Sequence, residues 1–181
     1  MSQTGIRQEH VRGAANLGQY AVCQFENIVE GDLTLADFEG GFKLVNYPTV
    51  GSVNNTQPMR GGSRMMGNPR AQHIGCVTEA GGHIPTIFQS LVKGENMGET
   101  TITELVSDGT LVVPQRELKL QNTYIIDVKI TGSQDGIKCF YLLTFDGISL
   151  SCNVADQEHT AAGQVAAELS FVDQTVEYSR R

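Results

Sequence analysis

The sequence predicts a mainly β protein, an antiparallel β-barrel or β-sandwich with one short flanking α-helix. Short apolar segments recur along most of the chain, and Gly, Asn or Pro residues separate them. One segment alone shows the apolar spacing of an amphipathic helix. The chain also contains 20 Gly, no Trp and many β-branched residues, a composition that favours sheet over a helical bundle.

The length and composition predict one domain with one sizeable core. The chain has 181 residues, of which 40% are hydrophobic and 18% are charged, so it differs from a disordered chain. Residues 1–18 are polar and show no sustained period, which predicts a flexible N-terminal arm. Residues 19–181 are predicted to form the single β domain.

Strand candidates begin after the arm, and about eight of them suit a sandwich or barrel. The first spans residues 20–25, and the second spans residues 42–47 and ends at Pro48, which cannot donate to a sheet ladder. Later candidates span residues 100–106, 118–130, 138–145, 147–154, 165–172 and 175–178. Between two of these, Asp146-Gly147 predicts a tight turn or a bulge.

The most regular alternation in the chain runs from residue 118 to residue 130. Every second side chain there is apolar except Asn122, which predicts one face in the core and one facing water or another subunit. The predicted core face consists of Leu118, Leu120, Tyr124, Ile126, Val128 and Ile130.

The segment from His83 to Gly94 predicts the helix. Its apolar residues have helical spacing, Pro85 suits the first turn, and Lys93 and Gly94 suit the end. The apolar stripe consists of Ile84, Ile87, Phe88, Leu91 and Val92. The position of His83 suits helix capping at least as well as catalysis.

Residues 48–69 form the longest stretch without periodicity, which indicates a functional excursion or a mobile surface segment. This stretch carries Met59, Met65 and Met66 beside arginines. Met and Arg side chains together are typical of adaptable protein contacts. The sequence therefore indicates a protein interface here.

Charge and motif content argue against several functional classes. The formal net charge is −7, whereas a nucleic-acid-binding protein needs a basic field. The four Cys are scattered and no His pair has metal-ligand spacing, so we expect no metal and no cofactor. Ser90 and Lys93 match a Ser-x-x-Lys pattern, but its companion motifs are absent. We therefore expect no catalytic residues, no secretory signal and no direct membrane insertion.

Three passages together resemble the haemolysin-coregulated protein (Hcp) family, the tube proteins of type VI secretion systems. Residues 20–32 with 41–47 are similar to the family's opening strand, its Gly-acidic turn and the next strand. Residues 82–94 resemble the family's single helix and its Gly-x-His-Ile-Pro-type motif. The closing strands are similar over residues 141–150, 167–171 and 176–178. The ordered set covers most of residues 20–178.

The resemblance implies a structural role without enzyme activity. Six copies would close into a ring, and rings would stack into a hollow tube that a contractile sheath expels, with effector proteins in its lumen. Sheath, spike and baseplate proteins would be further partners. The chain would be cytoplasmic before firing and extracellular afterwards, exported without a signal peptide.

Site residues follow from the same resemblance. The segment 48–69 would be the stacking element, and its hypothesised contact residues are Asn54, Met59, Arg60, Arg64, Met65 and Met66. Candidates for the lumen surface are Ser149, Ser151 and Asn153, which share one polar strand face.

Alternative functions remain open at the level of sequence. Contractile phage tail tube proteins share the implied architecture. A carbohydrate- or protein-binding β-sandwich module and an unrecognised hydrolase are further alternatives, and either would more often be a monomer or dimer than a ring.

Overall fold

A computed structural model describes residues 6–7, 19–27, 31–35, 37–46, 48–58, 64–107, 111–133, 136–155, 161–172 and 175–180. Within these ranges the chain is mainly β with one helix, so the predicted fold class is confirmed. Of the predicted N-terminal arm, residues 6–7 are described, and they pair with a strand of the main sheet.

The described residues form thirteen strands, more than the eight expected, and the helix α1 (Ile84–Lys93). In chain order the strands before α1 are β1 (Ile6–Arg7), β2 (Gln19–Phe25), β3 (Phe42–Leu44), β4 (Ser52–Pro58), β5 (Arg64–Ala71) and β6 (Ile74–Glu79). After α1 come β7 (Thr100–Ser107), β8 (Leu111–Gln121), β9 (Tyr124–Ser133), β10 (Gly136–Thr144), β11 (Gly147–Ala155), β12 (Ala161–Ser170) and β13 (Thr175–Arg180).

Ten strands follow one another in a single antiparallel sheet. Their order is β13-β12-β11-β8-β7-β2-β3-β6-β10-β9, and β1 pairs with β8 beside this path. Among the described residues the strand pairs do not close the sheet into a barrel. The predicted alternatives are therefore resolved in favour of a folded-over, sandwich-type sheet.

Two strand pairs form one long ribbon, in which β8–β9 run antiparallel to β10–β11. β9 and β10 pair as far as Tyr124 and Thr144, and β8 and β11 begin to pair at Gln121 and Gly147. Two residues on each side separate the halves, yet one half adjoins β7 and the other adjoins β6. The ribbon therefore turns a corner from one half of the sheet to the other, as corner strands do in sandwiches.

Hydrogen bonds hold this corner. The Thr123 N–H donates to the Gly98 carbonyl at 3.1 Å, and the Thr123 carbonyl accepts from the Met97 N–H at 2.8 Å. The Thr123 hydroxyl donates to the Leu120 carbonyl at 3.1 Å. Thr123 is fully buried, so these bonds satisfy polar groups that would otherwise cost free energy. The neighbouring Asn122 has a φ of 50°, a left-handed conformation that Asn tolerates better than most residues.

Asp146-Gly147 lies at this corner and does not form the tight turn or bulge that the sequence predicts. These residues do separate two strands, but β10 and β11 pair with other strands and not with each other. The Asp146 N–H donates to the Gln121 carbonyl at 3.0 Å, and the Asp146 carbonyl accepts from the Phe171 N–H at 2.9 Å. A dipeptide typical of tight turns therefore lies at a sheet corner, where backbone partners come from distant parts of the chain.

The inner faces of the folded sheet enclose the main core. Its buried members include Cys23, Phe42, Ile102, Leu118, Leu120, Cys139, Tyr141 and Leu143. A smaller cluster lies on the other face of β2, where the segment around Leu35 and Phe38 covers Tyr20, Val22 and Leu105. The described strands thus bury apolar side chains mostly on one face of the sheet, and on the other face around β2.

The predicted core face of residues 118–130 is correct for Leu118, Leu120 and Val128 but wrong for Tyr124 and Ile126, which are exposed. Ile130 lies on the predicted face, opposite Cys139, but is itself half exposed. The corner interrupts the alternation, and a bulge opposite Leu142 and Leu143 shifts the register again. Ile125 consequently lies in the core in place of Ile126.

Residues 48–69 also differ from expectation, because β4 and β5 pair as an antiparallel two-stranded sheet. The register shifts between Asn54 and Thr56. This bulge, together with several Asn, Gly and Pro residues, removes the alternation by which strands are recognised in a sequence.

The neighbouring isoleucines of β9 test the observed register. Ile125 is 4% exposed and Ile126 is 42% exposed, so I125A should lower the free energy of unfolding by about 2–4 kcal/mol. I126A removes the same atoms and should cost less than half as much. Urea unfolding monitored by circular dichroism measures both variants. Equal costs, or a larger cost for I126A, would contradict the register.

Candidate functional site: candidate assembly surfaces

The β4–β5 hairpin carries the residues hypothesised to contact a neighbouring subunit. It leaves the main sheet after β3 and returns at β6, and it forms a separate two-stranded sheet. Asn54 lies in β4, Arg64, Met65 and Met66 begin β5, and Met59 and Arg60 lie outside the described residues.

The predicted lumen candidates Ser149 and Ser151 lie together on a polar sheet face. Ser149 is opposite Lys119 and Glu168 in the neighbouring strands, and Ser151 is opposite Glu117. A shallow cavity of about 450 Å³ lies over this face. The face belongs to the same strands whose other side chains, such as Leu118 and Ile148, are buried in the core.

Charged and amide side chains on this polar face pair with one another. The Lys119 ammonium lies 3.8 Å from carboxylate oxygens of both Glu99 and Glu117. The Gln121 amide donates to Glu168 Oε1 at 2.8 Å. Surface pairs of this kind contribute little to stability. Because these side chains are polar, the face can stay exposed to water without an apolar covering.

Asn153, the third lumen candidate, lies at the margin of this face. Its amide donates to the Pro114 carbonyl at 2.8 Å. Asn153 also lines a different cavity of about 380 Å³, together with Glu104 and Arg116, which form an ion pair. The structure therefore brings Ser149 and Ser151 together and places Asn153 beside a second feature.

The helix carries some exposed apolar side chains within the stripe that the sequence predicts. Gly94 ends α1 in the left-handed conformation, with a φ of 64°. Ile87 is buried and Leu91 packs against the main core. However, Val92 is 83% exposed and Phe88 is partly exposed, so two of the five residues of the predicted apolar stripe face outward.

His83 precedes α1, but its side chain makes no capping hydrogen bond. Its Nε2 lies 3.1 Å from the Thr78 hydroxyl, and its ring packs edge-on against Phe42 at 4.7 Å between centroids. The capping role suggested by the sequence is therefore wrong. Burial lowers the pKa of His83, and the nearby Asp32 carboxylate opposes that shift.

His83 lines a cavity of about 450 Å³ that no sequence pattern indicated. The cavity lies beside β3 and the end of β6, and its polar lining includes Tyr20, Asp32, Lys43 and Glu79. These residues are distant in sequence and share no motif. No signal in the sequence could have grouped them.

The residues of the Ser-x-x-Lys pattern bond to a single carboxylate. The Ser90 hydroxyl donates to Glu95 Oε2 at 3.2 Å, and the Lys93 ammonium lies 3.2 Å from Glu95 Oε1. In the described ranges, no group of three His, Cys, Asp or Glu could hold a metal ion. The described part of the chain also contains no helix long and apolar enough to cross a bilayer.

The lowered pKa of His83 predicts a pH-dependent stability. The unfolded chain binds a proton on His83 near its usual pKa of 6.5, whereas the folded chain binds it only at lower pH. Neutral His83 therefore contributes stability that is complete above pH 6.5 and is lost as the pH falls towards the folded pKa. Denaturant unfolding at pH 7.5 and pH 5.5 should show a smaller decrease for H83Q than for the unaltered chain. Equal decreases would contradict the assignment.

Comparison with solved structures connects this fold to known proteins. Hcp1 from Salmonella typhimurium matches with a TM-score of 0.72 and 10% identity, over 89% of this chain and 100% of that one. A type six secretion system protein matches with a TM-score of 0.76 and 13% identity, over 87% and 99%. Hcp1 from E. coli EAEC 042 matches with a TM-score of 0.66 and 13% identity, over 86% and 99%.

No protein-family model and no curated protein sequence matches the chain. The structural matches cover nearly the entire length of each Hcp chain, so they concern the whole domain and not a shared fragment. The resemblance seen in the sequence is thereby confirmed at the level of the fold. The chain has the fold of the Hcp proteins of type VI secretion systems.

Proposed function

We propose that the chain is a structural subunit of the inner tube of a type VI secretion system, with no enzyme activity. The observation that carries this proposal is the agreement of the fold over nearly the full length of Hcp chains. In this function six copies close into a ring, and rings stack into a hollow tube. A contractile sheath expels the tube together with its spike.

The surfaces of the described residues support an assembling subunit. A contact between two different patches closes into a ring if its rotation closes, and it extends into a filament if it repeats along an axis. The exposed Phe88 and Val92 on α1 and the exposed Ile126 and Ile130 on β9 supply apolar area for such contacts or for the sheath. The hairpin supplies the stacking contact.

The polar face around Ser149 and Ser151 suits the wall of the lumen. Many of its side chains are small, and Lys119 and Gln121 pair with neighbouring carboxylates, so the face around the two serines is polar. The chain acts in the cytoplasm before firing and outside the cell afterwards. Its export depends on the contractile machine.

Mass and shape in solution test the proposal. Six copies of a 19.6 kDa chain make a ring of about 118 kDa, and negative-stain images should show annular particles with a central hole. Light scattering after size exclusion measures the mass. A monomer or dimer at all concentrations, without annular particles, would overturn the proposal.

Charge reversal tests the stacking role of the hairpin. R60D combined with R64D should stop rings from stacking into tubes, because it reverses two charges in the proposed contact segment. Ring mass and circular dichroism should not change. The matched variant R60K with R64K retains both charges and should keep more of the stacking. Normal tubes of the R60D/R64D variant under the electron microscope would show that the assignment is wrong.

A further inference from the structure

Two of the free cysteines lie in contact inside the main core. Cys23 of β2 and Cys76 of β6 are both fully buried, and a side-chain hydrogen bond joins them. A single buried Cys behaves as a small apolar residue. Two thiols in contact can in addition be oxidised to a disulfide where their backbones lie close enough. The pair is therefore a candidate site of covalent modification.

The packing around the pair gives independent evidence that β2 meets β6 and β10 at this level of the core. Phe25 of β2 lies 6.2 Å from Tyr141 of β10, measured between ring centres. Cys23 is two residues before Phe25, so the two side chains point into the core from the same face of β2. Cys76 is directly opposite Tyr141 in the register of β6 and β10. The aromatic contact and the thiol contact are therefore neighbours in the same layer of the core.

The pair lies beside the shorter of the two connections between the halves of the folded sheet. The longer connection is the ribbon that turns the corner. The shorter one is β3, which lies between β2 and β6 and spans three residues. Its register with β6 consists of Leu44 opposite Thr78. A bond between Cys23 and Cys76 would join β2 directly to β6 and reinforce this connection.

The same bond would close the chain around the β4–β5 hairpin. The segment between the two cysteines, residues 24–75, contains segment 31–41 and the hairpin. Cross-linking the ends of a segment removes conformational freedom from the unfolded chain, and the effect grows with the length of the loop. A bond at this place should therefore stabilise the folded subunit strongly.

We propose that Cys23 and Cys76 form a disulfide when the chain meets an oxidising medium. The oxidant is a small-molecule disulfide such as oxidised glutathione. The first protein thiolate attacks one sulfur of the small disulfide and releases one small thiol, and the second protein thiolate then attacks the mixed disulfide and releases the other. The protein loses two electrons and two protons, which convert the small disulfide into two thiols.

The closed position of the pair controls when this reaction occurs. The hydrogen bond with Cys23, together with burial, raises the pKa of the Cys76 thiol, so little thiolate forms at neutral pH and the folded chain reacts slowly. The bond therefore forms when the core opens or while the chain folds, and it is afterwards shielded from reductants. In the proposed function the chain leaves a reducing cytoplasm for an oxidising exterior, and this last step alone rests on that function.

Refolding in a redox buffer tests the proposal with the full chain. The chain is unfolded in urea and refolded with oxidised and reduced glutathione, free thiols are alkylated, and mass spectrometry identifies the linked peptides. We expect Cys23 linked to Cys76, with Cys139 and Cys152 alkylated. The oxidised chain should unfold about 5–15 °C higher than the same chain treated with dithiothreitol.

Two matched variants show which thiols carry the effect. C76S and C139S each replace a fully buried thiol of the same core. C76S should abolish the difference in unfolding midpoint between the oxidised and the reduced chain, whereas C139S should retain it. Each variant is compared with its own reduced form, so a general loss of stability cancels. The peptide map of the unaltered chain remains decisive where a variant does not fold.

Three results would overturn the inference. The first is alkylation of both Cys23 and Cys76 after refolding with oxidised glutathione. The second is a bond between Cys76 and Cys139 as the main product, and the third is an oxidised chain no more stable than the reduced one. The test concerns a single subunit, so its outcome is independent of ring formation, whose absence would overturn the proposed function alone.

Discussion

The corner in the long ribbon is the constraint on which the rest of the structure depends. β8–β9 and β10–β11 pass through it with only two residues between strands on each side. Thr123 satisfies its buried polar groups with three hydrogen bonds there. Because the ribbon bends, one continuous pair of strands supplies both halves of the folded sheet, and the inner faces of those halves enclose one core.

The same bend leaves outer faces that differ in composition. The core takes Leu118, Leu120 and Ile148, so the alternate side chains Lys119 and Ser149 face outward as a polar surface. Segment 31–41 covers another part of the outer surface and contributes Asp32 to the cavity beside His83.

Local sequence patterns predicted the fold class and most of the strands. The helix was predicted with nearly its observed bounds, because Pro85, Lys93 and Gly94 mark its ends and its spacing is unambiguous. Strand β10 alternates regularly between buried and partly exposed side chains, whereas β2 was recognisable as a short apolar run that is buried on both faces. These features depend only on residues close together in the chain.

The features that were not predicted have a common physical cause. Each depends on pairing or packing between segments that are far apart in the chain. The register of β9 depends on a bulge opposite Leu142 and Leu143. No residue type within β9 indicates the position of that bulge. The β4–β5 hairpin contains an irregular register of its own. The cavity joins Tyr20, Asp32 and His83 through the packing of three separate segments, so only the folded chain brings it together.

Whether the polar sheet face lines a hole at the centre of an assembled tube is the most direct test of the account. Electron cryomicroscopy of tubes formed by the purified chain, at a resolution that traces strands, would locate β11 relative to the tube axis. We expect Ser149 and Ser151 on the wall of the lumen and α1 on the outside. A map with β11 facing outward, or a solid filament without a lumen, would contradict it.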